Sequence, residues 1–277
     1  MTSCGLPVLS RMSGWPTIPR MKTKLYLIAC SLFALSLQAP AQNAHDFFRG
    51  ETFPPARSEP AAWLLELHKS DDLLGANIAV AEFLPNTRLA WHNHPGGQVL
   101  LITDGVGYYQ EKGKPKQIVR VGDVIQCAPG VEHWHGGSLE SGLTYVAISP
   151  TRKGGTVWGQ PVSDEDYRSP AVDRRKGSVF SESRRVRAAD LVTANDVFAF
   201  GVASSTFALG KKTGWRKDPQ GKVFIVIDGT GYYQEKDKPL QVVRKGDVIR
   251  SRPNVEHWQG ASSESGASYI EVTPVNP

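Results

Sequence analysis

The chain contains one internal duplication. When the 277-residue sequence is aligned on itself with an offset of 124 positions, residues 83–150 match residues 207–274 without a gap. Within this region, Gly107–Ile125 and Gly231–Ile249 share 15 of 19 residues. Solenoids repeat a much shorter unit many times, so a long unit used twice indicates a duplicated domain. The sequence therefore predicts two related domains, each with a core of its own.

Each repeat is divided into short segments by residues that favour turns. Those of the first repeat are Pro95-Gly96-Gly97, Asp104-Gly105, Gly113-Lys114-Pro115, Gly122-Asp123 and Pro129-Gly130. The segments between them are rich in Val, Ile, Tyr and Leu, a composition typical of short antiparallel strands. The sequence therefore predicts an all-β fold made of two tandem barrels or jelly rolls.

The boundary between the two domains is expected in the segment Arg168–Lys176, which is charged and poor in apolar residues. This gives a first domain at 42–168 and a second domain at 169–277. Inside the first domain, Val99–Ile102 is apolar on both faces of its predicted strand. Its outer face should therefore pack against another sheet, which belongs either to the sister barrel or to a second subunit.

Little helix is expected. Short helices are expected near Ala61–Leu67 and at Asp164–Tyr167. Ser163 precedes the second of these and is a suitable N-cap, because its hydroxyl can accept a hydrogen bond from the first helical turn.

Residues 1–41 have the pattern of a secretory signal peptide. The apolar stretch Leu25–Leu37 follows Lys22 and Lys24 and precedes the small-residue sequence Ala39-Pro40-Ala41. We expect cleavage after Ala41 and a periplasmic or secreted mature chain. No apolar stretch of the mature chain is long enough to span a membrane.

Other interpretations of this leader exist. The apolar stretch could be a buried first helix, and the residues up to Cys30 resemble a lipoprotein box, although they lie at the beginning of the stretch and not at its end. Met21 stands where such a leader would naturally begin, so Met1–Arg20 could precede the true start.

Composition excludes several functional classes. The formal charge of +5 includes four basic leader residues and no leader acid, which leaves 28 basic and 27 acidic residues and a net charge of +1. A nucleic-acid partner is therefore not predicted.

Cys127 is the one cysteine after residue 41, so no intramolecular disulfide is predicted in the mature chain. We expect Cys127 to be a small buried apolar residue.

Four of the seven histidines lie in two short motifs, His92-Asn93-His94 and His133-Trp134-His135. On a strand, residues i and i+2 point to the same face, so each pair can converge inside a barrel. Gln98 begins the next strand, and four imidazoles and one amide can meet at one point. Clustered buried imidazoles without a cation would lose hydrogen bonds and hydration. This cost favours a metal site over ordinary polar core or surface histidines.

These motifs resemble those of the cupin superfamily. Residues 91–98, together with Gly105, match the first cupin motif, and residues 129–136, preceded by Gly122-Asp123, match the second. More narrowly, residues 73–168 resemble the small single-domain cupins that include the manganese-dependent hydroxynitrile lyases. The motifs are specific for the fold and for a metal, and much less so for a reaction. The resemblance implies a bicupin, in which two tandem jelly-roll barrels follow the signal peptide.

The resemblance also implies that His92, His94, Gln98 and His133 bind one divalent metal ion, with Mn²⁺ expected first and Fe²⁺ second. Gln98 stands where many cupins have glutamate. A neutral ligand set leaves the ion a stronger Lewis acid than a set that includes a carboxylate. The alternative is a structural Gln98 that satisfies its amide locally. His135 lies on the same strand face as His133 and is either a catalytic base or a group that orients a ligand.

The second repeat lacks this set. At the positions of His92, His94, Gln98 and His135 it has Arg216, Asp218, Lys222 and Gln259, and only His257 is kept. Two cations would repel a metal ion, so a metal-free second barrel is expected. Arg216 or Lys222 should pair with Asp218 as an internal strut, with an anion-binding pocket as the alternative.

The leading interpretation is a metal-dependent lyase that acts on a small organic molecule in the first barrel. The positions Ala79, Ala81 and Tyr145 are expected to line its pocket. A metal-dependent oxygenase is the second enzymatic alternative, since open positions on Fe²⁺ can bind dioxygen. A periplasmic binding or sensing module and a storage-like protein are the non-catalytic ones. Two-fold association into a homodimer is the expected oligomeric state.

Overall fold

The computed structural model describes residues 51–52, 62–173 and 187–275. The predicted signal peptide, its cleavage after Ala41 and the alternative start at Met21 lie outside these ranges. Among the described residues, no helix combines the length and the hydropathy that crossing a bilayer requires.

The first repeat forms an eleven-stranded sheet with one short helix. Its elements are β1 Glu51–Thr52, β2 Ala62–His68, β3 Ala76–Phe83, β4 His92–Asn93, β5 Gln98–Glu111, β6 Gln117–Arg120, β7 Val124–Cys127, β8 His133–Gly137, β9 Leu143–Pro150, β10 Val157–Trp158, α1 Asp164–Arg168 and β11 Val172–Asp173. The main strand order is β1-β2-β3-β9-β5-β8-β4-β10, while β6 and β7 also pair with β5, and β11 pairs with β6.

The second repeat forms an eight-stranded sheet. Its strands are β12 Arg187–Val192, β13 Phe200–Phe207, β14 Arg216–Lys217, β15 Lys222–Glu235, β16 Gln241–Arg244, β17 Val248–Ser251, β18 Glu256–Ala261 and β19 Ala267–Pro274. The order is β12-β13-β19-β15-β18-β14, with β16 and β17 also paired to β15. Both sheets curl into jelly-roll barrels, which confirms the predicted fold class.

The long strand β5 joins the two halves of the first barrel. Its first half pairs with β7 and β9 and its second half with β6 and β8. The register shifts between Ile102 and Asp104, next to Gly105 with a φ of 77°. A side chain at Gly105 would meet the Gly142 carbonyl oxygen at 2.1 Å, so glycine is required where the strand bends.

The outer face of Val99–Ile102 packs against the sister barrel, which decides between the two alternatives left open by the sequence. Val99 and Leu101 share one buried cluster with Val223 and Ile225 of the second barrel. Seven pairs of residues in this cluster are related by the 124-residue offset: Leu74 and Phe198, Ala76 and Phe200, Ile78 and Val202, Val99 and Val223, Leu101 and Ile225, Val146 and Ile270, Ile148 and Val272. The two barrels therefore meet through equivalent surfaces.

One of the two predicted helices is correct. Asp164–Arg168 is helical, and the Ser163 hydroxyl accepts a hydrogen bond from the Asp166 backbone N–H at 3.0 Å. The helix expected near Ala61–Leu67 is wrong, because Ala62–His68 is strand β2. It pairs along its length with β3, and this ladder satisfies the backbone groups that a helix would have paired internally. Cys127 is free and fully buried, as expected.

Candidate metal centre

Two antiparallel strands bring the histidine motifs together. His92 on β4 lies directly opposite His133 on β8, and His135 follows two residues later on the same face of β8. One ring nitrogen of each of these three histidines lies within 4.8 Å of the others. All three side chains are buried, with at most 2% of their surface exposed.

Backbone contacts fix the orientation of two of these rings. The Nδ1 atom of His92 lies 2.8 Å from the Ala90 carbonyl oxygen, and that of His133 lies 2.9 Å from the Val131 carbonyl oxygen. A carbonyl oxygen only accepts hydrogen bonds, so Nδ1 carries the proton in each neutral ring. The lone pair is then on Nε2, and Nε2 of His133 is buried without a hydrogen-bond partner. This is the arrangement of a metal-binding imidazole.

His94 and Gln98 lie beside this group. The ring centre of His94 is 5.3 Å from that of His92 and 5.6 Å from that of His133, and its buried Nε2 has no partner. The Gln98 amide nitrogen donates to the Ser149 hydroxyl at 3.2 Å, while its buried carbonyl oxygen has no partner. The structure therefore leaves one donor atom of each of these two side chains unpaired.

His135 differs from the other three histidines. Both of its ring nitrogens are buried without a hydrogen-bond partner. Its ring centre lies 5.0 Å from those of both His92 and Tyr145. The three-histidine group thus contains His135, which the sequence suggested as a base, and omits His94, which it suggested as a ligand.

The electrostatics of the cluster keep it neutral. Burial lowers the pKa of all four imidazoles below the ordinary value of 6.5, and the pKa of His94 falls to about 4. Neighbouring imidazoles lower the pKa of His92, His94 and His135 further. Neutral imidazoles offer lone pairs to a cation, and a cluster of unpaired buried donor atoms is costly without one. The residues present therefore fit a divalent transition-metal ion.

A cavity of about 150 Å³ opens beside His92, His94, Gln98 and His135. An engineered cavity of this size holds a benzene-sized molecule. Ala79 and Tyr145 line it as expected, whereas Ala81 lies in the hydrophobic core and not in the cavity wall. The other lining residues, which sequence reasoning did not identify, are Leu64, Glu66, Asn77, Leu89, Ala147, Ser149, Thr156 and Trp158.

The equivalent place in the second barrel contains an ion cluster. Lys222 Nζ lies 3.5 Å from Asp218 Oδ1 and 3.0 Å from Glu271 Oε2. Arg216 Nη2 lies 3.4 Å from the same Glu271 oxygen. The predicted pairing of Lys222 with Asp218 is therefore confirmed.

Sequence reasoning missed the centre of this cluster. Glu271 accepts hydrogen bonds from the Ser205 hydroxyl at 2.6 Å and from the Gln259 amide at 3.1 Å. It occupies the position of Ala147, which lines the cavity of the first barrel. The signal that could have found it is this alanine-to-glutamate difference on an aligned strand.

Comparisons with known proteins agree with this description. Residues 79–147 match the family model described as a cupin domain. Over 132 residues the chain is 37% identical to an (R)-mandelonitrile lyase of Granulicella tundricola, which covers 47% of this chain and 93% of that protein.

Two solved structures share the fold over most of the chain. Hazelnut (Corylus avellana) vicilin aligns with a TM-score of 0.63 and 14% identity over 82% of each chain. A deletion mutant of oxalate decarboxylase from Bacillus subtilis aligns with a TM-score of 0.57 and 14% identity, over 79% of this chain and 74% of that one. At this level of identity the likeness concerns the fold alone.

Proposed function

This chain belongs to the cupin superfamily, with a first domain similar to hydroxynitrile lyases, and we propose that it is an exported metal-dependent lyase that acts on a small organic molecule in its first barrel. One observation carries the proposal. Buried atoms of His94, Gln98 and His135 that can bind a metal ion have no hydrogen-bond partner beside a cavity of about 150 Å³, and neither does Nε2 of the neighbouring His133. A storage protein has no need of such a set.

In this proposal His92, His94, Gln98 and His133 hold one Mn²⁺, or else Fe²⁺, and His135 acts as the base. The ion, when bound, supplies Lewis acidity toward a substrate oxygen. Ser149 holds the Gln98 amide so that its carbonyl oxygen stays available. His135, with two unpaired nitrogens at the cavity, accepts the substrate hydroxyl proton as the bond between carbon and cyanide breaks, and returns that proton to cyanide.

The metal site is tested by measuring bound transition metals in three purified proteins. We expect one Mn or Fe ion per chain in the unchanged protein and loss of this ion in His94→Ala. The matched control is His257→Ala, which removes the histidine that the second barrel keeps and should leave the metal content unchanged. Absence of metal from the unchanged protein after reconstitution would refute the proposal.

The reaction is tested with (R)-mandelonitrile, by following the release of benzaldehyde. We expect His135→Gln to keep its metal and to lose about 100- to 10,000-fold in kcat, the usual contribution of a general base. Oxygen consumption during turnover would instead favour an oxygenase. A substrate that binds tightly and is recovered unchanged would favour a binding or sensing module. The proposed export is tested by the N-terminal sequence of the mature chain, which should begin after Ala41.

A further inference from the structure

A segment that follows the first barrel covers its outer face. This segment, Val157–Asp173, is called the strap below. Its residues Val162 and Tyr167 pack with Trp134 in one buried cluster, and the Trp134 side chain is fully buried there. The strap ends in β11, which pairs in parallel with β6. The strap thus adds both apolar contacts and a strand to the edge of the sheet.

Two cationic side chains hold the strap through its acids. Arg88 Nη2 donates to Asp164 Oδ1 at 2.5 Å, and the Arg88 guanidinium lies 4.3 Å from the centre of the Tyr167 ring. Arg120 Nη2 lies 3.4 Å from Asp173 Oδ2. The first turn of the strap helix is acidic, with Asp164, Glu165 and Asp166 in sequence. The strap is therefore an acidic segment anchored by one tyrosine.

The second barrel has the same outer face without a cover from the described residues. Its residues Trp215, Leu240 and Val242 are 49%, 46% and 47% exposed, and Trp215 packs edge-on against Trp258. Among the described strands, β16 pairs with β15 alone, whereas its counterpart β6 also pairs with β11. We call this surface, made of Lys212, Trp215, Leu240, Val242, Arg244 and Trp258, the second outer face.

Two of the three cations that hold the strap have a cationic counterpart on this face. The third, Lys116, donates to the Asp166 and Tyr167 carbonyl oxygens and is replaced by Leu240. Lys212 stands at the position of Arg88, and its ammonium lies 4.4 Å from the centre of the Trp258 ring. Arg244 is kept at the position of Arg120 and is exposed. In the described part of the chain, neither side chain forms an ion pair with a carboxylate. The face thus offers two of the positive charges, and the tryptophan, that contact the strap in the first barrel.

We propose that the second outer face is a docking surface for an acidic, tyrosine-bearing peptide segment of another protein. Its chemistry is that of the strap, because the two faces are related by the duplication and share two cationic positions and the buried tryptophan. A second copy of this chain that docked through the same face would bring the same two cations against it, and like charges repel. Charge complementarity therefore favours an acidic partner.

In the test, the full chain is added to a fluorescein-labelled peptide that has the sequence of residues 157–173. Binding is measured as the increase in fluorescence anisotropy of the peptide. We expect saturable binding that weakens at least tenfold in Lys212→Glu and in Trp215→Ser. It should also weaken at least tenfold with a peptide that carries Asp164→Asn, Glu165→Gln, Asp166→Asn and Tyr167→Ala. Lys69→Glu is the charge-matched control, on an exposed lysine of the first barrel, and should bind as the unchanged chain does.

The proposal is overturned by the absence of saturable binding, or by equal binding to Lys212→Glu and Lys69→Glu. Sedimentation equilibrium adds a second readout. A dimer of the unchanged chain that Trp215→Ser dissociates would show that a second copy covers this face, which also overturns the proposal. Thermal unfolding of each variant controls for loss of folding.

Discussion

At the scale of single residues, the equivalent positions 147 and 271 contribute to the difference between the two barrel interiors. Ala147 leaves room for a cavity beside the histidines. Glu271 fills the equivalent place with a carboxylate that pairs with both Lys222 and Arg216. This strand position therefore adds to the four exchanged site positions in converting a candidate metal centre into an internal ion cluster.

We expect Glu271→Gln to destabilise the protein by about 3 kcal/mol, because it leaves two partly buried cations, Lys222 and Arg216, without a full counter-charge. Chemical denaturation measures the loss. Glu256→Gln is the matched control, since Glu256 pairs with Lys236 at the exposed surface, and it should have little effect. Equal losses of stability in the two variants would contradict a stabilising role for Glu271 in the ion cluster.

Cys127 is expected to be inert in the folded protein. Burial raises the pKa of its thiol to about 12, and its sulfur lies 3.1 Å from the Tyr109 hydroxyl. Since only the thiolate reacts, a disulfide reagent at pH 8 should label a chain with Cys4→Ser and Cys30→Ser only after denaturation. Fast labelling of the folded chain would contradict this burial.

The raised pKa of Cys127 also makes the stability of the folded protein depend on pH. The unfolded chain loses this proton near its ordinary pKa of 9.0, while the folded chain retains it up to about pH 12. The folded state then binds more protons, so this group lowers the stability as the pH rises above about 9. Cys127→Ala should remove that part of the alkaline loss in denaturation curves.

At the scale of elements, the strap shows how a five-residue helix is held by tertiary contacts. Such a helix is too short to be stable alone. Tyr167 supplies the contacts, because its ring lies under Arg88 and near Trp134, and its hydroxyl donates to the Gly137 carbonyl oxygen at 2.8 Å. The position of the strap therefore depends on this side chain.

We expect Tyr167→Ala to cost about 3–5 kcal/mol through the cavity that it leaves. Tyr167→Phe should cost only about 1 kcal/mol, because it removes one hydrogen bond and keeps the ring. Chemical denaturation of both variants provides the comparison. Losses of the same size would show that the hydroxyl, and not the packing of the ring, holds the strap.

At the scale of the whole molecule, the two barrels form a pseudo-symmetric pair within one chain. Equivalent residues face each other across the interface, as in an isologous dimer. The second barrel also contacts the loop that carries His94 and Gln98, because the Phe198 ring lies against Gly97. Gly97 has a φ of 80° and its backbone N–H donates to the His94 carbonyl oxygen at 2.9 Å. The second barrel therefore packs against the loop that positions two of the proposed metal ligands.

We expect Phe198→Ala to weaken metal binding by the first barrel, because the loop between His94 and Gln98 loses its support. A competition titration with a metal-binding dye measures this change, and a loss of about tenfold is typical when outer supports of a metal site are removed. The matched control is Leu73→Ala, since Leu73 contacts Gly221, the equivalent glycine of the second barrel. Equal metal affinity in both variants would contradict this support.

Much of the fold and part of the candidate site follow from the sequence alone. The 124-residue offset identified two domains, and the turn residues indicated short strands, because local backbone preferences and the period of two act over a few residues. The same period placed His92 with His94 and His133 with His135 on inward faces. The choice of the four ligands and of His135 as the base stays a prediction.

Other features depended on contacts between distant parts of the chain. Only the structure showed that Ala62–His68 pairs as a strand, that Glu271 centres the ion cluster, and that Val99 and Leu101 pack on the sister barrel. The sequence around each of these residues is compatible with more than one environment. Their environment is set by which surfaces meet in space, since packing and ion pairing depend on neighbours that are remote along the chain.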